Sequence, residues 1–390
     1  MEIYLDNSAT TRISEEALLE YVRVSRELYG NPSSRHRLGF LAEEVLAHAR
    51  KDLLSALGAR DGRIVFTSGG TEGNNLAIFG RAYAKERYRG GRIITTEGEH
   101  SSVSHTLSAL KAQGFDVVSV PTAGGVFDMN AFLALLTPKT VLVTVMAVNN
   151  ETGALYPLKR ISDAIRRLAP EAVLHVDATQ SFMKVPFTPK SIGADMITVS
   201  SHKIEGPKGV GALWLSDALL KNRGIAAVTQ GGGQESGLRS GTENVPGAAA
   251  FAVAARLQAA SFAERGARLW ALRKHLVDGV HGSETLCERV SVNRPSGECA
   301  PHILSLTVKG MKSETVLNDL SGRGIYVSSG SACSSHDAHL SSALLAFGLS
   351  ADEADSTVRV SLSHRNTEEE LDVFLSALAE TVLTRAKKHG

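Results

Sequence analysis

The chain has 390 residues, of which 43% are hydrophobic and 21% charged, with a net charge of +1. These proportions suit a globular chain of two or three domains, and a charge so close to zero supplies no electrostatic footprint for nucleic acid or an anionic membrane. The three cysteines, Cys287, Cys299 and Cys333, have no paired spacing, which excludes a disulfide framework and a CxxC zinc site.

The start, Met1-Glu2-Ile3-Tyr4-Leu5-Asp6, lacks the basic and apolar regions of a secretory signal. The longest apolar run, 141–148, is too short to span a bilayer. A reduced, cytoplasmic protein without direct nucleic-acid or membrane contacts is therefore expected. From about residue 60, short Val/Ile-rich runs alternate with helical patterns. Strands are predicted at 63–67, 92–96, 117–120, 141–147, 173–176, 196–200 and 211–215. Helices are predicted at 74–87, 102–113, 129–136 and 158–168. Strands apolar almost throughout are covered on both faces, which describes a largely parallel sheet with flanking helices. The run 211–215 follows 196–200 after a short glycine-bearing turn, so that pair is expected to be antiparallel. Beyond about residue 247 the texture changes: a long Ala/Arg/Leu-rich helix at 248–277, strands at 303–308, 324–328 and 358–362, and a last helix capped by Thr367 with Glu368, Glu369 and Glu370 in its first turn. This reads as a second, smaller α/β domain.

Two strand ends carry the most informative residues. The run at 173–176 ends in Asp177, followed by Ala178-Thr179-Gln180, and the run at 196–200 ends in Ser200-Ser201-His202-Lys203. A strand-end acid with a strand-end lysine is what pyridoxal 5'-phosphate chemistry needs: an amine for the cofactor aldehyde and a carboxylate to keep the pyridine nitrogen protonated. Either residue alone reads as an ordinary loop residue; the pair does not. Thr67-Ser68-Gly69-Gly70-Thr71-Glu72-Gly73-Asn74-Asn75 joins a strand to a helix, and Gly70 and Thr71 could offer backbone N–H groups to a phosphate. An ordinary strand–helix turn explains that segment equally well. Glu99-His100 follows another strand, where an imidazole could stack on a ring or shuttle protons. Asn150, in Val148-Asn149-Asn150-Glu151-Thr152-Gly153, could donate to a carboxylate or serve a turn. The Gly-rich polar stretch 231–244 suits an anion or a dimer interface. Cys333 lies among small residues, Ser328-Ser329-Gly330-Ser331-Ala332-Cys333-Ser334-Ser335-His336, a setting open to a thiolate nucleophile. Arg359 interrupts a strand and has the fork geometry for a carboxylate, or is a surface charge.

Taken in order, these segments resemble the cysteine desulfurases of the class V aminotransferase group, within the fold-type I pyridoxal-phosphate enzymes. The resemblance also rests on Tyr4-Leu5-Asp6-Asn7-Ser8-Ala9-Thr10-Thr11, Gly30-Asn31-Pro32-Ser33-Ser34-Arg35-His36, Arg239-Ser240-Gly241-Thr242 and Val358-Arg359-Val360-Ser361-Leu362. It implies a fold-type I architecture, with a mainly parallel seven-stranded sheet and a smaller C-terminal domain. A large domain at 15–255 and a small domain of 1–14 with 256–390 are expected. It implies Lys203 as the cofactor-binding lysine and base, Asp177 on the pyridine nitrogen, Gln180 on the ring oxygen and His100 on the ring. Gly70, Thr71, Ser200 and His202 would hold the phosphate, with Thr242 supplied by a partner subunit. Asn150 and Arg359 would hold the carboxylate of L-cysteine, and Cys333 would accept its sulfur as a persulfide. The implied partners are a second copy of the chain and a sulfur-acceptor protein of iron–sulfur cluster assembly or tRNA thiolation. Three places depart from common forms: Gly98 where a bulkier residue is usual, Glu205 where Tyr or His is common, and Ser363-His364 where Gly-Arg is frequent. A selenocysteine lyase, an aminotransferase of the same fold or a degenerate scaffold are the alternatives.

Overall fold

The computed structural model of the chain describes residues 2–329 and 340–386. Strand β1 (Ile3–Tyr4) leads into two helices absent from the sequence reading, α1 (Glu15–Glu27) and α2 (Arg37–Ala56). The start of α1 is marked in the sequence: Ser14 accepts from the Ala17 N–H, and Glu15 and Glu16 occupy the first turn, where the helix dipole favours acids. Then follow β2 (Arg63–Thr67), α3 (Gly70–Ala82), β3 (Arg92–Thr96), α4 (Ser101–Ala112), β4 (Asp116–Val120), α5 (Met129–Leu135), β5 (Thr140–Met146), α6 (Leu158–Leu168), β6 (Val173–Asp177), α7 (Pro189–Ile192), β7 (Met196–Ser200), β8 (Gly211–Leu215) and α8 (Asp217–Lys221).

The strands form a seven-stranded sheet in the order β2-β8-β7-β6-β5-β3-β4. All its pairings are parallel except those of β8, which runs antiparallel to β7, as the short turn after residue 200 implies, and also to β2. Every residue of β5, β6, β7 and β8 is buried. Successive residues alternate between two apolar layers, which is why these strands read as unbroken apolar runs. Ile64, Val143, Val176 and Ile197 face one layer with α1, α2 and α9 (Val245–Ala260). Val65, Leu142, Met196 and Leu213 face the other, with Leu76, Ile78, Val103 and Leu107 of α3 and α4.

Two of the predicted helices differ from expectation. Helix α3 begins at Gly70 rather than 74, because Gly69 and Gly70 let the chain turn directly off β2, and it ends at Ala82 rather than 87. Its penultimate residue, Arg81, is buried with its guanidinium 4.1 Å from the Tyr88 ring centroid; the chain folds back through a 3-10 turn at Glu86–Tyr88 to make that contact. The long helix expected at 248–277 is two helices, α9 and α10 (Phe262–Gly282), broken at Ser261, whose backbone leaves the helical region (φ −118°, ψ 24°).

After α10 come α11 (Glu284–Arg289), β9 (Val290–Val292), β10 (Ile303–Val308), α12 (Ser313–Gly322), β11 (Ile325–Tyr326), β12 (Ser328–Ser329), α13 (Ser342–Phe347), α14 (Ala351–Asp355), β13 (Thr357–Ser361) and α15 (Glu368–Ala386). The strand expected at 324–328 is thus two short pieces. One pairs with β1 and the other with β13 in the sheet β12-β13-β10-β9. A separate apolar core joins Leu269 and Leu276 of α10, Leu304 and Leu306 of β10, Val358 and Val360 of β13 and Phe374 of α15 to Ile3 and Leu5. The first residues of the chain are therefore packed with its last third. Thr367 caps α15 as expected, its hydroxyl accepting from the Glu370 N–H at 3.2 Å. Among the described residues no helix is long and apolar enough to cross a membrane.

Candidate active site

The carboxyl ends of β3, β5, β6 and β7 open onto one cavity of about 260 Å³, roofed by Arg359 of β13 and by Ser8 and Ala9. This is the ligand-binding edge of a parallel α/β sheet. Gly70, Thr71, His100, Asn150, Asp177, Gln180, Ser200, His202, Lys203 and Arg359 all line it. Most of them follow the carboxyl end of a strand of the large sheet or open the helix after it, while Arg359 reaches in from the middle of β13.

Lys203 closes a 3-10 turn that follows β7, and its Nζ donates to the carbonyls of Ser8 (2.6 Å) and Ala9 (2.8 Å). Asp177 ends β6; its Oδ2 accepts from Asn74 Nδ2 at 2.7 Å and its Oδ1 from the Thr179 N–H at 2.9 Å. Asn74, on α3 and buried, also donates to Ser102 Oγ at 2.9 Å. Sequence reasoning missed Asn74, since an Asn beside glycines carries only a turn signal. His100 caps α4: its Nδ1 accepts from the Ser102 N–H at 3.1 Å. That bond assigns the ring proton to Nε2. Burial holds the His100 pKa below the ordinary histidine value, reinforced by the Lys203 and Arg359 charges and opposed by Asp177. The imidazole is consequently neutral near pH 7. Glu99, immediately before it, is buried, accepts from Thr96 Oγ1 at 2.7 Å and the Met146 N–H at 3.1 Å, and is pushed up to about 8 by burial.

At the other end of the cavity, α3 starts without a capping side chain at Gly69. Its first N–H groups stay open, as an anion site requires. Beside them Ser200 Oγ and Thr179 Oγ1 are buried without a hydrogen-bond partner. A Cβ on Gly70 would stand 2.9 Å from Thr179 Oγ1, so a larger residue would crowd this corner. His202 Nδ1 lies 3.1 Å from Thr10 Oγ1, and burial, then Lys203, Lys208 and Lys184, push its pKa to about 4.

Arg359 is buried; it donates to Asp6 Oδ1 at 2.9 Å and to the Asn150 carbonyl at 3.0 Å, while its Nε has no partner. Asn149 spends its side-chain oxygen on the turn, accepting from the N–H groups of Glu151 and Thr152. Asn150 Oδ1 is buried without a partner, so of the two asparagines Asn150 is the one left for a ligand. Gln180 donates to the Ser8 carbonyl at 2.9 Å and leaves its Oε1 unpartnered.

Two of the expected site residues are not among those that line the cavity. Thr242 is exposed and does not line this cavity. Cys333 lies outside the described residues. The described residues on either side of it contact the elements that carry Arg359 and Asn150. Ser328 of β12 pairs in register with Arg359, and Ser341 donates to Glu151 Oε2 at 2.6 Å, next to Asn150. The departure at Gly98 has a steric reason: a Cβ there would lie 3.3 Å from the Ala343 Cα of α13. A second, larger cavity of about 910 Å³ is lined by Trp270, Cys299 and Lys184 among others, and holds none of the expected site residues. Among the described residues no cluster of His, Cys, Asp and Glu could hold a metal ion.

Comparison with known proteins matches residues 3–374 to the family described as Aminotransferase class-V. A protein of Lactobacillus delbrueckii subsp. bulgaricus named NifS/IcsS protein homolog is 39% identical over 97% of this chain and 96% of its own length. Cysteine desulfurase IscS 1 of Archaeoglobus fulgidus is 38% identical over 96% and 95%. A solved NifS-like protein superposes with a TM-score of 0.90 at 35% identity, covering 98% of this chain and 100% of that one.

Proposed function

The chain belongs to the class-V aminotransferase family and is a cysteine desulfurase, and from that premise we propose which of its residues take sulfur from L-cysteine, and where the sulfur goes. The observation that carries the assignment is the convergence of Lys203, Asp177, His100 and Arg359 on one cavity with an anion-binding corner. The residues fit pyridoxal 5'-phosphate. The unpartnered hydroxyls of Ser200 and Thr179, beside the open start of α3, match its phosphate. The Asp177 carboxylate matches a pyridinium nitrogen, and Lys203 matches the aldehyde. Thr71, His202 and Gln180 complete the set. When bound, the cofactor supplies an electron sink for the carbanion formed at the substrate Cα.

The chain's own groups do the rest. Arg359 and Asn150 orient the substrate carboxylate. Lys203 Nζ takes the Cα proton, and His100, neutral with its proton on Nε2, relays protons to and from the substrate. The Cys333 thiolate attacks the substrate sulfur: an S–S bond forms, the Cβ–S bond breaks, and its electron pair ends as a C–H bond of L-alanine after protonation. A persulfide is left on Cys333. We assign the sulfur to an acceptor protein of iron–sulfur cluster assembly or tRNA thiolation, in the cytoplasm. The working unit in this reading is a homodimer in which Thr242 reaches the partner's cavity.

The test is product analysis of the purified chain with added cofactor and L-cysteine. Alanine is expected, and Lys203→Ala lowers its formation by about a thousandfold or more. Wild-type turnover by that variant contradicts the assignment, and an oxo acid in place of alanine makes the chain an aminotransferase. Turnover of selenocysteine alone makes it a selenocysteine lyase.

A further inference from the structure

Glu205 stands two residues beyond Lys203 in a left-handed backbone conformation (φ 67°), which residues other than glycine adopt rarely. Its side chain is only 7% exposed and meets three basic groups, all from the other apolar core or its rim. Arg365 approaches to 2.7 Å, His364 Nδ1 to 3.4 Å and Arg265 of α10 to 3.8 Å. The backbone of Glu205 is equally committed. Its N–H donates to Thr11 Oγ1 at 2.8 Å and its carbonyl accepts from the Ser14 N–H at 2.9 Å. Thr11 Oγ1 in turn donates to the His202 carbonyl at 2.8 Å. The segment between residues 6 and 14 is the one whose Ser8 and Ala9 carbonyls hold the Lys203 amine. On the far side, His364 and Arg365 lie in the turn that begins with Leu362 and Ser363 after β13, the strand that carries Arg359. Arg268 fixes that turn by donating to the His364 and Asn366 carbonyls, both at 2.6 Å. Glu16, within electrostatic reach of Arg265 and Arg365, and Lys184 complete the charges around the cluster.

The two departures from common family forms, at 205 and at 363–364, are therefore opposite sides of one contact. We propose that Glu205 is a positioning residue: it locks the Lys203 loop to the turn after β13, and so fixes the span between the Lys203 amine and the Arg359 guanidinium across the cavity. This rests on the reading of Lys203 as the reacting amine and of Arg359 as the substrate's anchor. Removing the carboxylate leaves the arginines facing one another and frees both walls of the cavity to shift. A bound substrate then has to restore their spacing itself.

Glu205→Gln keeps the size and removes the charge; Arg365→Gln, at a more exposed position, attacks the same contact from the other side. Two readouts decide. In the cofactor-free chain, amides of residues 8–14 and 202–206 are expected to exchange about tenfold faster in either variant. In the loaded enzyme, KM for L-cysteine is expected to rise about tenfold with a smaller change in kcat, and the double variant is no worse than either single one. Unchanged exchange in those two segments, or additive effects on KM, overturns the proposal. The exchange readout does not involve the reaction, so a failure of Lys203 as the catalytic amine would leave it standing and be recognised separately.

Discussion

Asp177 keeps its place under the cavity through two donors, and only one of them, the Thr179 N–H, belongs to its own turn. The other comes from Asn74, across the space between α3 and β6. A hydrogen bond to a charged group contributes about 1.5–3 kcal/mol. If the bond holds Asp177 against the pyridine nitrogen, Asn74→Ala should lower kcat by about ten- to a hundredfold, with the Asp177→Asn variant as the steady-state reference. If His100 relays the proton, as we propose, it sets the acid side of the pH profile. Its folded pKa is lowered, so the imidazole stays neutral as pH falls past the ordinary histidine value. The acid limb of kcat/KM should therefore lie below about pH 6.5, and move in His100→Gln. Lys184 is a buried amine with no hydrogen-bond partner and a pKa lowered to about 7, chiefly by burial. Between that value and its unfolded one, the folded chain binds fewer protons than the unfolded chain. Stability should rise as pH rises from about 7 toward 10, with the penalty fully present below 7. Lys184→Met should flatten that slope and raise the denaturation midpoint at neutral pH, read by denaturant titration across that range.

Among the elements, Arg81 shows how a helix end is stitched into a sheet. It donates to the carbonyls of Val141 (2.9 Å), Gly224 (3.2 Å) and Glu171 (2.5 Å), joining the end of α3 to the start of β5 and to the loops on either side. Arg81→Met keeps much of the apolar stem but strands three buried or half-buried carbonyls. A loss of about 3 kcal/mol is expected by denaturant unfolding. The same element shows where sequence reading works and where it stops. The sheet strands were legible almost to the residue, because strands covered on both faces leave uninterrupted Val/Ile runs. The end of α3 was not, because its stop is set by the stacking of Arg81 on Tyr88, a tertiary contact. Helices α1 and α2 are not among the predicted helices, although Ser14 and the following acids mark the start of the first. The break at Ser261 was hidden by an Ala-rich run that favours helix on both sides. Within the site, every strand-end residue was visible as a type in a position. Asn74 and Glu205 were not assigned roles, because their partners lie 103 residues away in one case and 160 in the other.

At the scale of the whole molecule, the cavity lies where the large sheet meets the C-terminal sheet: Lys203, Asp177 and His100 stand at strand ends of the first and Arg359 on β13 of the second. The division into 15–255 and 1–14 with 256–390 is our proposal for the folding units, with the Glu205 cluster as the contact that spans them. The dimer reading makes its own prediction. If Thr242 serves the partner's cavity, mixing Lys203→Ala subunits with Thr242→Ala subunits should restore activity to about a quarter of wild type, since half the dimers are hybrids with one sound cavity. No recovery on mixing contradicts it. The central claim, sulfur abstraction by Cys333 in a cavity governed by Lys203, is tested most directly by peptide mass spectrometry after a single turnover with sulfur-labelled L-cysteine. The account predicts one labelled sulfur atom added to the peptide carrying Cys333, absent from Cys287 and Cys299, and lost in Lys203→Ala. Label on another residue, or free labelled sulfide released at the wild-type rate by Cys333→Ala, would contradict it.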